Sequence, residues 1–336
     1  MNIAILGANG FIGKNLVKRF DKNNNYINAY DKEKFNLKNV GLEKDEFTFR
    51  HKRVYINKPI DFTAYGDIFF PFDRDSDVII QAAATTSGAK DIVNKPYYHV
   101  TDNAIMNAKI LQSIHDLAVS RPERTFHYVF FSCTVMYPQD LDRPITEDDF
   151  TGEIADQYFG VGWTKVYVEK LMEFYSRLLP NVKFTAIRHS NIYGPQDKFD
   201  LEKSHVLGAT MNKILTTPNG GEIEVWGDGS TVRDFLYVDD LMDFVVTAIE
   251  HQETSFEIYN VGSGIPTSVK ELVELMIKVS KKDLTIKYNT DKPSFKNGLW
   301  LDCNKARREH MWHPKVSLEQ GIEKTIDWLH GRIVEL

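Results

Sequence analysis

Thiol chemistry is scarce in this 336-residue chain: it has two cysteines, Cys133 and Cys303, far apart and with no CxxC pair. That excludes a disulfide framework and points to a reduced, cytoplasmic setting. Long apolar runs are missing too. Nothing approaches the roughly 20 residues a membrane span needs, and the opening MNIAILGANGFIG is too short and too glycine-broken for a secretory signal. No block of one charge sign exists: 41 basic and 47 acidic residues are interspersed, for a net charge of −6. The chain therefore carries no electrostatic footprint for nucleic acid or an anionic membrane, and an anionic ligand must be caught by a few placed groups. Repeats and low-complexity linkers are absent as well, so two lobes, if present, are wound together. His310 and His313 in HMWH are spaced as a metal pair could be. With no further ligands in view they read as a solvated loop, and no metal is expected.

What is present is the composition of an ordinary globular protein, 42% hydrophobic and 26% charged, long enough to bury a sizeable core. Short apolar runs at 2–6, 26–31, 77–81, 127–132 and 183–188 read as buried strands. Residues 11–20, 100–119 and 163–179 carry apolar positions at helical spacing. This alternation predicts a doubly wound, Rossmann-type α/β fold with a parallel sheet covered on both faces. Residues 40–75, rich in charge and aromatics, fit the scheme poorly and read as strands plus a long connection. From 187 the pattern leaves the sheet. Residues 221–240 read as strand, turn, strand and a helix from near Asp239; 259–264 and 268–280 follow as strand and helix. The expected division is a dinucleotide-binding domain over 1–188 plus about 236–261, and a smaller C-terminal substrate lobe over 189–235 and 262–336.

Gly7, Gly10 and Gly13 form GxxGxxG between the first strand and the first helix. One glycine permits the tight turn, one lets backbone approach a pyrophosphate, and one lets helix pack on strand. The helix N-terminus offers free N–H groups to the phosphates. Asp31, 18 residues after Gly13, ends the second strand. A carboxylate there accepts hydrogen bonds from ribose hydroxyls and repels a 2′-phosphate, so NAD(H) is expected over NADP(H).

Several segments then resemble the extended short-chain dehydrogenase/reductase (NAD-dependent epimerase/dehydratase) family nearly end to end. They are QAAATTSG (81–88), FSCTVMYP (131–138), GWTKVYVEKL (162–171), IRHSNIYGP (187–195), VRDFLYVDD (232–240), YNVGSG (259–264) and KVSLEQGIEKTIDWL (315–329). Within it, NIYGPQDKFDLEKSHV (191–206) and DKPSFKNGLWLD (291–302) look like the GDP-fucose synthase branch. The resemblance implies an NAD-dependent enzyme acting on a nucleotide sugar, with a GDP-linked 4-keto sugar as the expected substrate class. It implies cofactor contacts from Gly7, Asn9, Gly10, Phe11, Ile12, Gly13, Asp31, Ala83, Ala84, Asn103 and Lys165. It implies catalytic roles for Lys165, His205, and Cys133 or Thr134, and substrate contacts from Tyr137, Asn191 and Arg233.

The family pattern breaks at its centre. The catalytic tyrosine belongs four residues before Lys165, and that position is Val161. Tyr158, seven before Lys165, reaches that place only through a helix irregularity. The hydroxyl position, four before Tyr137, is Cys133, with Ser132 and Thr134 beside it. Val135 and Met136 stand where dehydratases carry an acidic pair, which disfavours sugar dehydration. Val135 also replaces the cysteine of the synthase branch, whereas its proton-transferring histidine is matched by His205. The competing reading is an NAD(H)-binding module that has kept the fold and lost the chemistry. Two apolar stripes on the 163–179 helix, Tyr167/Leu171/Phe174/Leu178 and Val168/Met172/Tyr175/Leu179, imply burial on two sides, one on the sheet and one in a homodimer.

Overall fold

The computed structural model describes the chain except for residues 22–24, 33–52, 57–73, 86–95, 202–203, 292–297 and 334–336. Seven strands make one sheet: β1 (Asn2–Leu6), β2 (Tyr26–Tyr30), β3 (Arg53–Ile56), β4 (Val78–Gln81), β5 (Phe126–Phe131), β6 (Val182–His189) and β11 (Phe256–Val261). Their order is β3-β2-β1-β4-β5-β6-β11, and every pairing is parallel. Parallel strands need covered crossovers, so both faces must be apolar. β1 shows how: Ile3 and Ile5 pack into one core, Ala4 and Leu6 into the other, and all four are fully buried.

The first core is closed by α1 (Phe11–Asp21) through Leu16, Val17 and Phe20, and by α5 (Val238–His251) through Leu241, Phe244 and Val245. The second is closed by α2 (Pro96–Ser120) through Ile110, Leu111 and Ile114, and by α3 (Phe159–Leu178) through Val168 and Met172. The α5 helix begins one residue before the predicted Asp239. Of the ill-fitting stretch 40–75, Arg53–Ile56 forms the edge strand β3, while 33–52 and 57–73 lie outside the described residues.

A separate apolar cluster joins α4 (Val206–Thr216), α6 (Val269–Ser280), α8 (Leu318–Ile333) and three strands. Those strands are β7 (Asn191–Tyr193), β8 (Gly221–Trp226) and β10 (Phe235–Tyr237), and Met211, Leu272 and Ile322 lie in the cluster's interior. Its strands pair in twos: β7 with β10, β8 with β13 (Leu284–Asn289), and β9 (Val232–Arg233) with β12 (Thr267–Ser268). The sequence pattern placed the exit from the main sheet at 187, but β6 stays paired with β11 through His189, opposite Val261. The strand read as ending at 188 runs one residue further, and this puts the His189 ring at its C-terminal rim.

Of the histidine pair, His313 is exposed in a loop as expected, and His310 departs from expectation. His310 ends the short helix α7 (Asn304–His310) and is buried, its ring 4.8 Å from Tyr259 and 5.7 Å from Phe244. It is a core residue, not a solvated loop, because the two aromatic edges close over it.

Candidate functional site

Between β1 and its two neighbours the chain changes direction, and at the C-terminal end of that crevice lies the glycine turn. Gly7 has φ +82°, and a Cβ there would lie 2.5 Å from the Ala83 backbone. A Cβ on Gly13 would lie 2.1 Å from the Gly7 carbonyl oxygen. No other residue lets strand, turn and helix approach this closely. Gly10 faces outward and is exposed, leaving the α1 N-terminus open to a ligand. Phe11 and Ile12 pack half-buried on the first core. Asp31 Oδ2 accepts the Asn9 N–H at 2.9 Å and Oδ1 the Lys32 N–H at 2.8 Å, which holds the carboxylate beside the turn.

The Ala83–Ala84 segment leaves β4 alongside, with Ala84 exposed. Asn103 clamps the next residue rather than facing open space: its Oδ1 accepts the Thr85 N–H and its Nδ2 donates to the Thr85 carbonyl, both at 3.0 Å. Ser87 and Gly88 of this segment lie outside the described residues. The turn, the open helix end and the fixed carboxylate fit a dinucleotide.

At the ends of β5 and β6 a second group gathers. Lys165 Nζ donates to the Phe131 carbonyl at 2.7 Å and stands 4.6 Å from the Phe130 ring centroid. Burial lowers its pKa, and the nearby Cys133 and Glu169 oppose that shift. Burial raises the Cys133 thiol against the pull of Lys165, so the thiol is a neutral, weak donor. Thr134 is half-buried beside it, its carbonyl accepting the Tyr137 N–H at 3.1 Å. A 3-10 turn, Asp156–Tyr158, precedes α3 and makes Tyr158 the helix's N-cap residue. Burial raises the Tyr158 pKa, while Arg233 lowers it and Cys133 raises it, so this phenol stands between the β5 end and the Arg233 segment.

His189 joins the group from the rim of β6. Its Nδ1 lies 2.8 Å from the Ser190 carbonyl, and its ring packs edge-on to Phe131 at 6.2 Å. Burial lowers its pKa to about 4; the Ser190 carbonyl opposes that shift, and the charges of Lys165 and His205 add to it. His205 is the N-cap residue of α4 and makes no capping hydrogen bond with its side chain. The residue is exposed, yet the atoms crowding the ring, and then Lys198, lower its pKa. Glu202 and Lys203 just before it lie outside the described residues. Lys165, Cys133, Tyr158, His189, His205 and Arg233 thus act on one another at a single rim.

Behind that rim is a buried polar network. Arg188 and Glu169, with side chains 5% and 3% exposed, form a two-point ion pair: Nη2 to Oε2 at 2.7 Å and Nε to Oε1 at 3.1 Å. Burial alone would lower the Arg188 pKa; the Glu169 carboxylate outweighs it and keeps the guanidinium charged. Ser132 donates to Glu169 at 2.6 Å. Arg188 donates to the Tyr137 oxygen at 2.9 Å, and Tyr137 donates to Asn260 Oδ1 at 2.7 Å. The network ties β5, β6, α3 and β11 together.

Tyr137, expected to contact substrate, is 1% exposed, and its hydroxyl is engaged by Arg188 and Asn260 inside the protein. Asn191 donates its amide to the Asp234 carbonyl at 3.0 Å, which fixes the β7–β10 junction. Arg233 remains half-buried on β9, one Nη1 donating to the Val232 carbonyl at 3.1 Å.

His189, Glu169 and Arg188 were not singled out from the sequence. The signals were an arginine inside an apolar strand and a glutamate one turn after Lys165 on the buried side of its helix.

The chain is similar to GDP-L-colitose synthase of Yersinia pseudotuberculosis, 30% identical over 98% of this chain and 97% of that one. It is also similar to GDP-L-fucose synthase of Escherichia coli, 26% identical over 80% and 84%. Among solved structures, UDP-glucose 4-epimerase of Thermotoga maritima superposes with TM-score 0.77 at 24% identity, over 99% of this chain and all of that one. UDP-glucuronic acid 4-epimerase of Bacillus cereus, with UDP-glucuronic acid and NAD, gives 0.76 at 20% over the same spans. These two share the fold. Because the profile of the NAD dependent epimerase/dehydratase family matches residues 3–262, the chain belongs to that family and takes NAD as its cofactor.

Proposed function

We propose that this protein is an NAD-dependent epimerase/oxidoreductase of a GDP-linked 4-keto sugar, with His205 moving protons at carbon beside the keto group. One observation carries the reading: Lys165, His205 and Arg233, from three separate segments, each act on the group formed by Cys133, Tyr158 and His189 at the ends of β5 and β6. NAD, when bound, supplies the hydride acceptor or donor. Asp31 and the glycine turn hold its ribose and phosphates, and Lys165 is within the same rim to donate to the second ribose. Arg233 supplies a planar, charged fork for the diphosphate. A keto group acidifies the neighbouring C–H, and an imidazole can remove and return that proton. The GDP preference rests on the similarity to GDP-L-colitose and GDP-L-fucose synthases over most of the chain. The substrate lobe is assigned to 189–235 and 262–336.

The outer face of α3 supports a homodimer. Phe159, Trp163, Tyr167, Phe174 and Leu178 are 38–59% exposed along one stripe, beside a groove shared with Lys109 and His115 of α2. A stripe of that size is uncommon on a monomer surface. The wild-type protein should sediment as a dimer and Phe174→Glu as a monomer; a monomeric wild type removes the assignment.

The test of function is product formation from NAD⁺ or NADH with GDP-, UDP-, CDP- and dTDP-linked sugars. Conversion of a GDP-linked sugar is expected. Tight NAD binding with no conversion of any sugar would favour the alternative, a non-catalytic NAD(H)-binding module, for which Val161 is the supporting observation.

Cofactor choice is tested at Asp31. Asp31→Asn keeps an acceptor for the Asn9 N–H and removes the charge facing a 2′-phosphate. The ratio of NADP(H) to NAD(H) affinity should rise roughly tenfold, about 1.4 kcal/mol. An unchanged ratio would show that Asp31 does not read the ribose.

A further inference from the structure

We propose that His189 is the proton-carrying group at the reacting sugar oxygen, filling the chemical vacancy left by Val161. The inference rests on the function just proposed and deepens it. Its ground is the geometry at the ends of β5 and β6. Phe131 is flanked on both sides: its carbonyl takes the Lys165 ammonium at 2.7 Å, and its ring meets the His189 imidazole at 6.2 Å. The lysine that would tune a tyrosine therefore stands beside a histidine instead.

The hydrogen bond at Nδ1 fixes which nitrogen can work. The Ser190 carbonyl can only accept, so Nδ1 carries the hydrogen and Nε2 presents its lone pair. Among the described residues Nε2 has no hydrogen-bond partner. Burial, with the Lys165 charge adding to it, keeps the ring neutral at pH 7, which is the state a base requires. The other candidates serve less well. Thr134 has no basic form at this pH. Burial raises the Tyr158 pKa, and its phenol sits in the fields of Arg233 and Cys133.

The step balances with NAD as oxidant. A secondary alcohol of the sugar loses its C–H bond with both electrons as hydride, and its O–H proton passes to Nε2. The ketone forms, and the imidazolium later returns the proton to the oxygen or to solvent. In the reducing direction Nε2 first takes up a proton from solvent, and the imidazolium then delivers it to the oxygen as hydride from NADH arrives at carbon.

The test compares wild type, His189→Gln, Val161→Tyr and the double variant, each with NAD⁺ affinity and thermal stability measured. In His189→Gln, turnover should fall ~10²–10⁴-fold while NAD⁺ affinity is retained. Val161→Tyr in that background should recover turnover, because it restores a phenol four residues before Lys165; a purely structural histidine would not be rescued this way. A second readout is independent of turnover. In protein labelled with ¹⁵N-histidine, the His189 ring should show Nδ1–H and a bare Nε2 at pH 7. Its Nε2 signal should shift when NAD⁺ and the converted sugar are added together. A wild type that converts sugar, with His189→Gln equally fast and the Nε2 signal unmoved, would overturn this proposal alone. A wild type converting no sugar would overturn the functional reading and this proposal with it.

Discussion

Glu169→Ala should lose about 3–5 kcal/mol of folding stability, because it leaves the Arg188 guanidinium buried and unpaired. The cost exceeds that of a surface pair for a physical reason. An exposed pair trades one solvation for another and is worth about 0–1 kcal/mol, whereas here water cannot replace the lost carboxylate. Ser132 loses its acceptor in the same variant, and the Tyr137–Asn260 link loses the arginine geometry that supports it. Urea or thermal unfolding of the folded variant measures the loss. The pairing argument also predicts that Glu169→Gln with Arg188→Met is less destabilised than the sum of the two single changes, since the double variant buries no net charge. A loss under 1 kcal/mol in Glu169→Ala, or strict additivity, would show that water reaches Arg188 and that the network is not a unit.

The second large effect is at His205. His205→Asn should lower turnover ~10²–10⁴-fold, the usual worth of a positioned acid/base group, and leave NAD affinity intact. Wash-in of solvent deuterium at the carbon beside the keto group should vanish with it. His205 makes no side-chain capping bond to α4 and is exposed. Stability should therefore be nearly unchanged, which separates this variant from Glu169→Ala. If the melting temperature and turnover fall together, the histidine packs the lobe and carries no proton; an unchanged exchange rate in a stable variant rules the role out directly. The two proposals divide the work between two histidines, with His205 at carbon and His189 at oxygen. His205→Asn should then abolish exchange while sparing any simple alcohol oxidation, and His189→Gln should do the reverse.

The sequence by itself determined the parallel sheet and the cofactor turn, because both are written in local chemistry. IAIL (3–6) is apolar at every position, which only a strand buried on two faces requires, and the structure buries it fully. Gly7 and Gly13 are forced by backbone contacts of 2.5 and 2.1 Å that any Cβ would violate. Val161 in the tyrosine's place was equally plain, being a matter of counting from Lys165. What replaces that tyrosine was decided only by tertiary structure. His189 and Lys165 are 24 positions apart in the chain, on a strand end and a helix, and both reach Phe131 only because β5 and β6 lie side by side and α3 packs over them. The fate of Tyr137 was hidden for the same reason. Its partners Arg188 and Asn260 are 51 and 123 residues away, and no local pattern says whether a phenol faces a ligand or a buried arginine. Periodicity reports which face of an element is apolar. Which polar groups converge at the sheet's rim depends on the order of strands, and that order is set by long-range packing.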